Sequence, residues 1–151
     1  MSDSASRLAT EFGGPEESPG FLLWQVTNRW QAAQRAALKP HQLTHVQFVL
    51  LATLTWLGAE EAVTQKQLAA AAATDVMMTS QVVRALEKRG LVTRADHPGD
   101  GRAKALTVTD AGRALANAAV VDVEACDRAF FAGLGDSAPE FVAMLRQLTP
   151  N

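Results

Sequence analysis

The residues best suited to chemistry in this sequence are cations gathered in one short stretch. Between Arg84 and Lys104 stand Arg84, Lys88, Arg89, Arg94, Arg102 and Lys104, against three acids, Glu87, Asp96 and Asp100. The whole chain carries a formal charge of −2. Residues 1–20 (four acids, one base) and 105–151 (six acids, three bases) each sum to −3. A basic stripe on an otherwise acidic chain is what contact with phosphates needs. Charge alone also allows a solvated charged face. Just before the stripe, Thr79, Ser80 and Gln81 bring two hydroxyls and an amide. Such groups bond phosphates or base edges, and Gln can pair bidentately with adenine. The plainer reading of the three is surface polarity. Met77 and Met78 either touch thymine methyl groups or pack against the chain.

Other chemistries find less support. There is one cysteine, Cys126, so an internal disulfide and a multi-cysteine zinc site are excluded. Cys126 reads as a small hydrophobe, with a redox switch as the alternative. His41 and His45 stand four apart, but Pro40 and the cap at Thr44 interrupt any helix joining them. Two histidines without a placed carboxylate or cysteine make a poor metal site, so no metal is expected. The sequence has no GxxxxGK[ST] loop, no HExxH and no GxSxG. Neither an enzyme nor a cofactor is expected. Trp24, Trp30, Phe48 and Trp56 are aromatics at helical spacing, which suits a core or the lining of a ligand crevice.

Composition bounds the answer further. The chain has 151 residues, 48% hydrophobic and 20% charged, enough for a folded core. No apolar run approaches the ~20 residues of a membrane span, and no basic-then-apolar leader opens the chain. A cytoplasmic location with no membrane partner is the expectation.

These candidates need elements to hold them. Residues 1–17 are small, polar and acidic and read as a flexible arm. Ser18-Pro19 fits an N-cap with proline at the first helical position. Leu23, Val26, Trp30, Ala33 and Ala37 then trace an amphipathic helix that Pro40 ends. Thr44 with Gln47 and Thr64 with Gln67 are capping boxes for two further helices. The first of these stops at Gly58, and the second is short and ends in the Ala69–Ala73 tract. Asp75 caps a fourth helix through Leu86 to Arg89, and Gly90 suits the left-handed closing position. The period then falls to two. Leu91–Arg94 and Ala103–Val108 read as strands joined by a long, charged tip, 95–102. Thr109 opens a helix along Ala111, Leu115, Ala118, Val121 (or Asp122), Ala125 and Ala129 to about Phe131. Ser137 with Glu140 is a third capping box, for a last helix striped with Phe141, Met144, Leu145 and Leu148. The predicted fold class is mainly α with a small β-hairpin wing: a winged helix-turn-helix plus a helical dimerisation region. That plan sets one helix in the major groove of DNA and the hairpin on the backbone or minor groove.

The stretch from Asp75 to Arg94, with Leu-Glu-x-x-Gly-Leu-Val-x-Arg at 86–94, resembles the MarR family of bacterial transcriptional regulators. So do the wing motif Asp100-x-Arg102-x-Lys104, the Leu106-Thr-x-Thr-x-x-Gly112 helix start, and Leu43-Thr-x-x-Gln47. The resemblance covers about residues 20–150. It implies a homodimer that reads a pseudo-palindromic operator on double-stranded DNA, with half-sites about 34 Å apart. Residues 18–42 become an N-terminal dimerisation helix, 43–109 the winged helix-turn-helix domain and 110–151 the C-terminal dimerisation helices. Thr79, Ser80 and Gln81 fall at the start of the recognition helix, with Arg84 one turn on as a phosphate contact. Arg102 matches the wing-tip arginine, aimed at the minor groove. Asp100 orients it, and Arg94 and Lys104 are phosphate contacts. His97 is a minor wing contact. The family also implies a repressor released by a small aromatic or phenolic ligand. Trp24, Trp30, Phe48, Trp56 and Asp75 are the residues placed to line its crevice. A winged-helix module that binds protein, or a redox-responsive regulator acting through Cys126, is the alternative function.

Overall fold

The computed structural model describes residues 7–150, apart from the side chains of Asp100 and Ala103. Two compact units emerge, 1–32 and 33–151, with the division inside the first long helix. In the first unit a single 3₁₀ turn, Pro15–Glu17, stands in the segment expected to be an unstructured arm. Residues 1–6 of that arm lie outside the described residues. Helix α1, Pro19–Leu38, starts where Ser18-Pro19 predicts. The Ser18 hydroxyl accepts from the Phe21 amide at 3.2 Å. Phe21, Leu22, Leu23, Trp24 and Val26 are all exposed in this unit.

The second unit holds the core. A 3₁₀ turn, Lys39–His41, follows α1, because proline cannot continue the helical ladder. Helix α2, His45–Leu57, opens on the predicted capping box, with both the Thr44 and Gln47 side chains bonded to backbone amides. Helix α3, Gln65–Ala72, repeats it with Thr64 and Gln67. Each satisfied cap contributes about 1 kcal/mol. Helix α4, Val76–Lys88, is capped by the Asp75 carboxylate, which accepts from the Met78 amide at 3.0 Å. Leu38, Leu50, Leu51, Leu54, Leu68, Val83, Leu86 and Val92 are fully buried together.

A three-stranded antiparallel sheet lies beside these helices, in the order β1 (Val63–Thr64), β3 (Asp100–Val108), β2 (Val92–His97). Strand β1 was not predicted. It is two residues long and exists only by pairing Val63 with Leu106 and Thr64 with Ala105, a distant contact without a local signal. The wing also differs from expectation. Its strands run on to His97 and Asp100, so the tip is a tight turn at Pro98-Gly99 rather than a long loop.

Helix α5, Asp110–Phe130, begins under tight constraint. The Thr109 hydroxyl donates to the Gly90 carbonyl at 2.7 Å and accepts from the Gly112 amide at 3.0 Å. A Cβ on Gly112 would lie 2.1 Å from the Leu91 carbonyl oxygen. The Thr-x-x-Gly motif thus records a helix end pressed against the start of the wing. The buried stripe of α5 is Gly112, Ala116, Ala119 and Val123, one residue along from the predicted one. Helix α6, Ala138–Leu148, follows a 3₁₀ segment, Ala132–Ser137. The capping box expected at Ser137 is absent. The chain breaks two residues earlier, at Gly135 (φ 53°, ψ −128°), so Ser137 is already in helical conformation rather than the extended one a cap needs, and its side chain caps nothing. No residue of α6 is buried, and Val142, Met144, Leu145 and Leu148 are exposed.

Candidate nucleic-acid interface

The turn that aims α4 is sharp. Ala73 ends α3 in the left-handed region at φ 53°, and the Thr74 amide reaches back to the Ala69 carbonyl at 2.9 Å. After α4, Gly90 closes the next turn at φ 74°, with the Leu91 amide donating to the Leu86 carbonyl at 3.0 Å. Glycine takes that conformation freely, whereas alanine is strained there by about 1 kcal/mol.

The helix between these turns sorts the candidates. Gln81 and Arg84 are exposed and Ser80 is half-buried. Thr79 is 0% exposed, so its assignment as a DNA contact is corrected. Its hydroxyl donates to the Asp75 carbonyl at 2.8 Å and lies 2.7 Å from the Thr74 hydroxyl. Threonine readily makes this bond one turn back, which satisfies its polar atom within the core. The spacing 79, 83, 86 with Val83 and Leu86 was the available signal.

The wing supplies a second set of cations. Asp96 and Lys104 face each other across the hairpin, and the ammonium bonds the carboxylate at 2.5 Å. That hydrogen bond, and then the positive charge behind it, holds the Asp96 carboxyl below the usual carboxylate range. Arg94 bonds Glu87 of α4 at 3.0 Å through Nε. Its Nη2 is buried and has no hydrogen-bond partner among the described residues. Arg102 is exposed on β3. The expected orienting pair of Asp100 with Arg102 falls on a side chain outside those described. At the tip, the Gly99 amide donates to His97 Nδ1 at 3.0 Å.

Arg94 and Lys104 also line a cleft of about 460 Å³ with Thr64, Gln65, Lys66, Val76 and Leu106. Lys66 went unnoticed in the sequence. It stands at the start of α3, next to the Thr64 cap, and faces the same space as the two wing cations. The stripe also loses a member. Arg89, though exposed, folds back along the protein surface and donates to the Gln42 carbonyl at 2.7 Å, which ties the end of α4 to the start of α2.

Of the five crevice candidates, two lie in the first unit and three in the second. In the first unit Trp24 is 67% exposed and Trp30 is partly buried. In the second, Phe48 belongs to the core, so its assignment to a ligand crevice is corrected. Trp56 is 84% exposed in the last turn of the same helix, roughly 12 Å further along its axis. Asp75 spends its carboxylate on the α4 cap. Phe48, Trp56 and Asp75 therefore form no common wall. Cys126 is partly buried, and desolvation first, then the Asp127 charge, pushes its thiol up. A redox switch needs the thiolate and hence the opposite shift.

No described helix is long and apolar enough to cross a membrane. Among the described residues no group of three or more His, Cys, Asp or Glu could hold a metal ion.

Comparison with known proteins agrees with this geometry. The MarR family model matches residues 43–104. YdcH of Bacillus subtilis strain 168, an uncharacterised HTH-type transcriptional regulator, is 48% identical over 124 residues. The match spans 82% of this chain and 84% of YdcH. The HTH-type transcriptional repressor Rv2887 of Mycobacterium tuberculosis is 34% identical over 140 residues, 90% of this chain and 97% of Rv2887. The structure of Rv2887 with salicylic acid has a TM-score of 0.68 at 33% identity, covering 87% of this chain and 96% of that one. CouR of Rhodococcus jostii RHA1 bound to p-coumaroyl-CoA has a TM-score of 0.78 at 29% identity, over 90% and 94%. CouR bound to a 23-mer DNA duplex has a TM-score of 0.81 at 27% identity, over 93% and 99%. With a capped recognition helix, a paired wing and relatives at this identity and coverage, the chain belongs to the MarR family of transcriptional regulators.

Proposed function

We propose that the protein is a cytoplasmic, homodimeric repressor that binds a pseudo-palindromic DNA operator and is released by a small aromatic or phenolic ligand. One observation carries the DNA part. Gln81 and Arg84 lie exposed on α4, while Arg94, Lys104 and Arg102 stand on the wing. Gln81 and Ser80 read base edges in the major groove. Arg84, Lys66, Arg94 and Lys104 seat phosphates. Arg102 enters the minor groove, where a narrow width concentrates negative potential.

The exposed apolar side chains of α1 and, separately, of α6 support dimerisation through 18–42 and 110–151, with 43–109 as the reading domain. A folded monomer rarely leaves such stripes in water. The ligand part rests on what relatives bind, salicylic acid for Rv2887 and p-coumaroyl-CoA for CouR. Release is geometric: a ligand that favours another separation of the two recognition helices weakens binding by that preference and no more. Nothing in the site supports catalysis, and the family is one of regulators.

Fluorescence anisotropy with duplexes tiled across the promoter nearest the protein's own coding region tests this. One tile bound well above random DNA, and released by millimolar salicylate, is the expected result. Equal, weak binding of every tile is the result expected of a protein-binding winged module.

A further inference from the structure

Helix α4 presents two faces. Thr79, Val83 and Leu86 are buried on one. On the other, Met77, Gln81, Arg84 and Lys88 follow one another at helical spacing, and all four are exposed. Met77 is therefore an apolar side chain in the middle of a polar face, 73% exposed in the first turn of the helix. Packing within the fold, one of the two readings open from the sequence, does not account for it. Val76 and Met78 flank that face rather than centre on it.

This is the part of a recognition helix whose side chains reach base edges. Along the major-groove edge of the four bases, the apolar group is the C5 methyl of thymine. Methionine, unbranched and polarisable, adapts to such a small contact. We infer that Met77 is a specificity-determining residue that covers a thymine methyl in each half-site. Gln81, one turn further on, reads the neighbouring base edge. The inference rests on the DNA-binding reading above and deepens it.

The test begins by selecting duplexes from a random pool with the wild-type protein. Each thymine of the selected site is then replaced by uracil, which removes the methyl and leaves every hydrogen-bonding group. The expected result is one symmetry-related pair of thymines at which replacement lowers wild-type affinity about three- to fivefold per methyl, the effect of burying one such group. Met77→Ala should bind the thymine duplex more weakly by a similar factor and lose the discrimination at that pair. Alanine suits an exposed helical position, and an unchanged melting temperature confirms that the fold is intact. A site indifferent to uracil, or a uracil penalty that persists in Met77→Ala, overturns the inference and leaves DNA binding standing. Failure to enrich any duplex defeats the DNA-binding reading itself and the inference with it.

Discussion

The recognition helix and the wing both carry cations, but in different states. Arg84 and Lys88 on α4 are exposed and have no ion-pair partner among the described residues. On the wing Lys104 is held by Asp96 and Arg94 by Glu87. A cation open to water can meet a phosphate by shedding only its solvent and counterions. A paired cation must first give up a carboxylate, or bring that negative charge near the DNA. The two regions therefore contribute unequally per charge, although the sequence counts all these cations alike.

The comparison breaks most visibly at Arg102. Replacing it with alanine should lower operator affinity on the order of ten- to a hundredfold, since it is assigned to a groove rather than a single phosphate. Arg94→Ala should cost only a few-fold, because the wild-type arginine already spends its Nε on Glu87. Anisotropy titrations of both variants against the same duplex decide the order, and a larger loss for Arg94→Ala would reverse the account of the wing.

A carboxylate variant probes the same contrast from the other side. Asp96→Asn removes the acid that holds Lys104 and should raise affinity about two- to fivefold at low salt, with the gain shrinking as salt screens it. Unchanged or weaker binding would mean that the ion pair orders the hairpin for DNA rather than competing with it. Arg89→Ala sharpens the comparison by addressing a cation in a third state. It should lower stability by about 1 kcal/mol through the lost bond to the Gln42 carbonyl. Thermal melting should move by a few degrees, and the salt dependence of DNA binding should not.

How far these states were legible depends on how local their causes are. The caps at Thr44, Thr64 and Asp75 were readable because each is settled by a side chain and an amide three residues on. Gly90 was readable from its freedom at positive φ, and the Thr109 cap, like the others, from an amide three residues on. Strand β1, the Asp96–Lys104 and Arg94–Glu87 pairs and the bond of Arg89 to the Gln42 carbonyl were not. Each joins residues whose meeting depends on hairpin register or helix packing. Ser137 resembled a cap in sequence, but the chain breaks at Gly135 and Ser137 itself is already helical. Thr79 carried its own signal, lying in step with Val83 and Leu86, yet its residue type suggested a contact with DNA. The apolar stripe of α5 was displaced by one residue because small side chains hardly mark a face.

The smallest expected effect is one of pH. Burial, then the charge of Arg35, holds the His45 imidazole below its ordinary value, with Asp127 acting the other way. A histidine that resists protonation when folded binds more protons when unfolded. Its stabilisation is therefore complete above about pH 6.5 and is lost as pH falls below that. The melting temperature should drop between pH 7 and pH 5, and His45→Gln should flatten the change. A variant that melts with the wild-type pH profile would remove His45 from the explanation.

The central claim is that the exposed face of α4, together with the wing, is the surface that meets DNA. It is tested most directly by the salt dependence of operator affinity for wild type and Arg84→Ala. The account predicts straight lines of log affinity against log salt, with the variant's slope shallower by about one. Parallel lines, or wild-type binding that ignores salt, would contradict it.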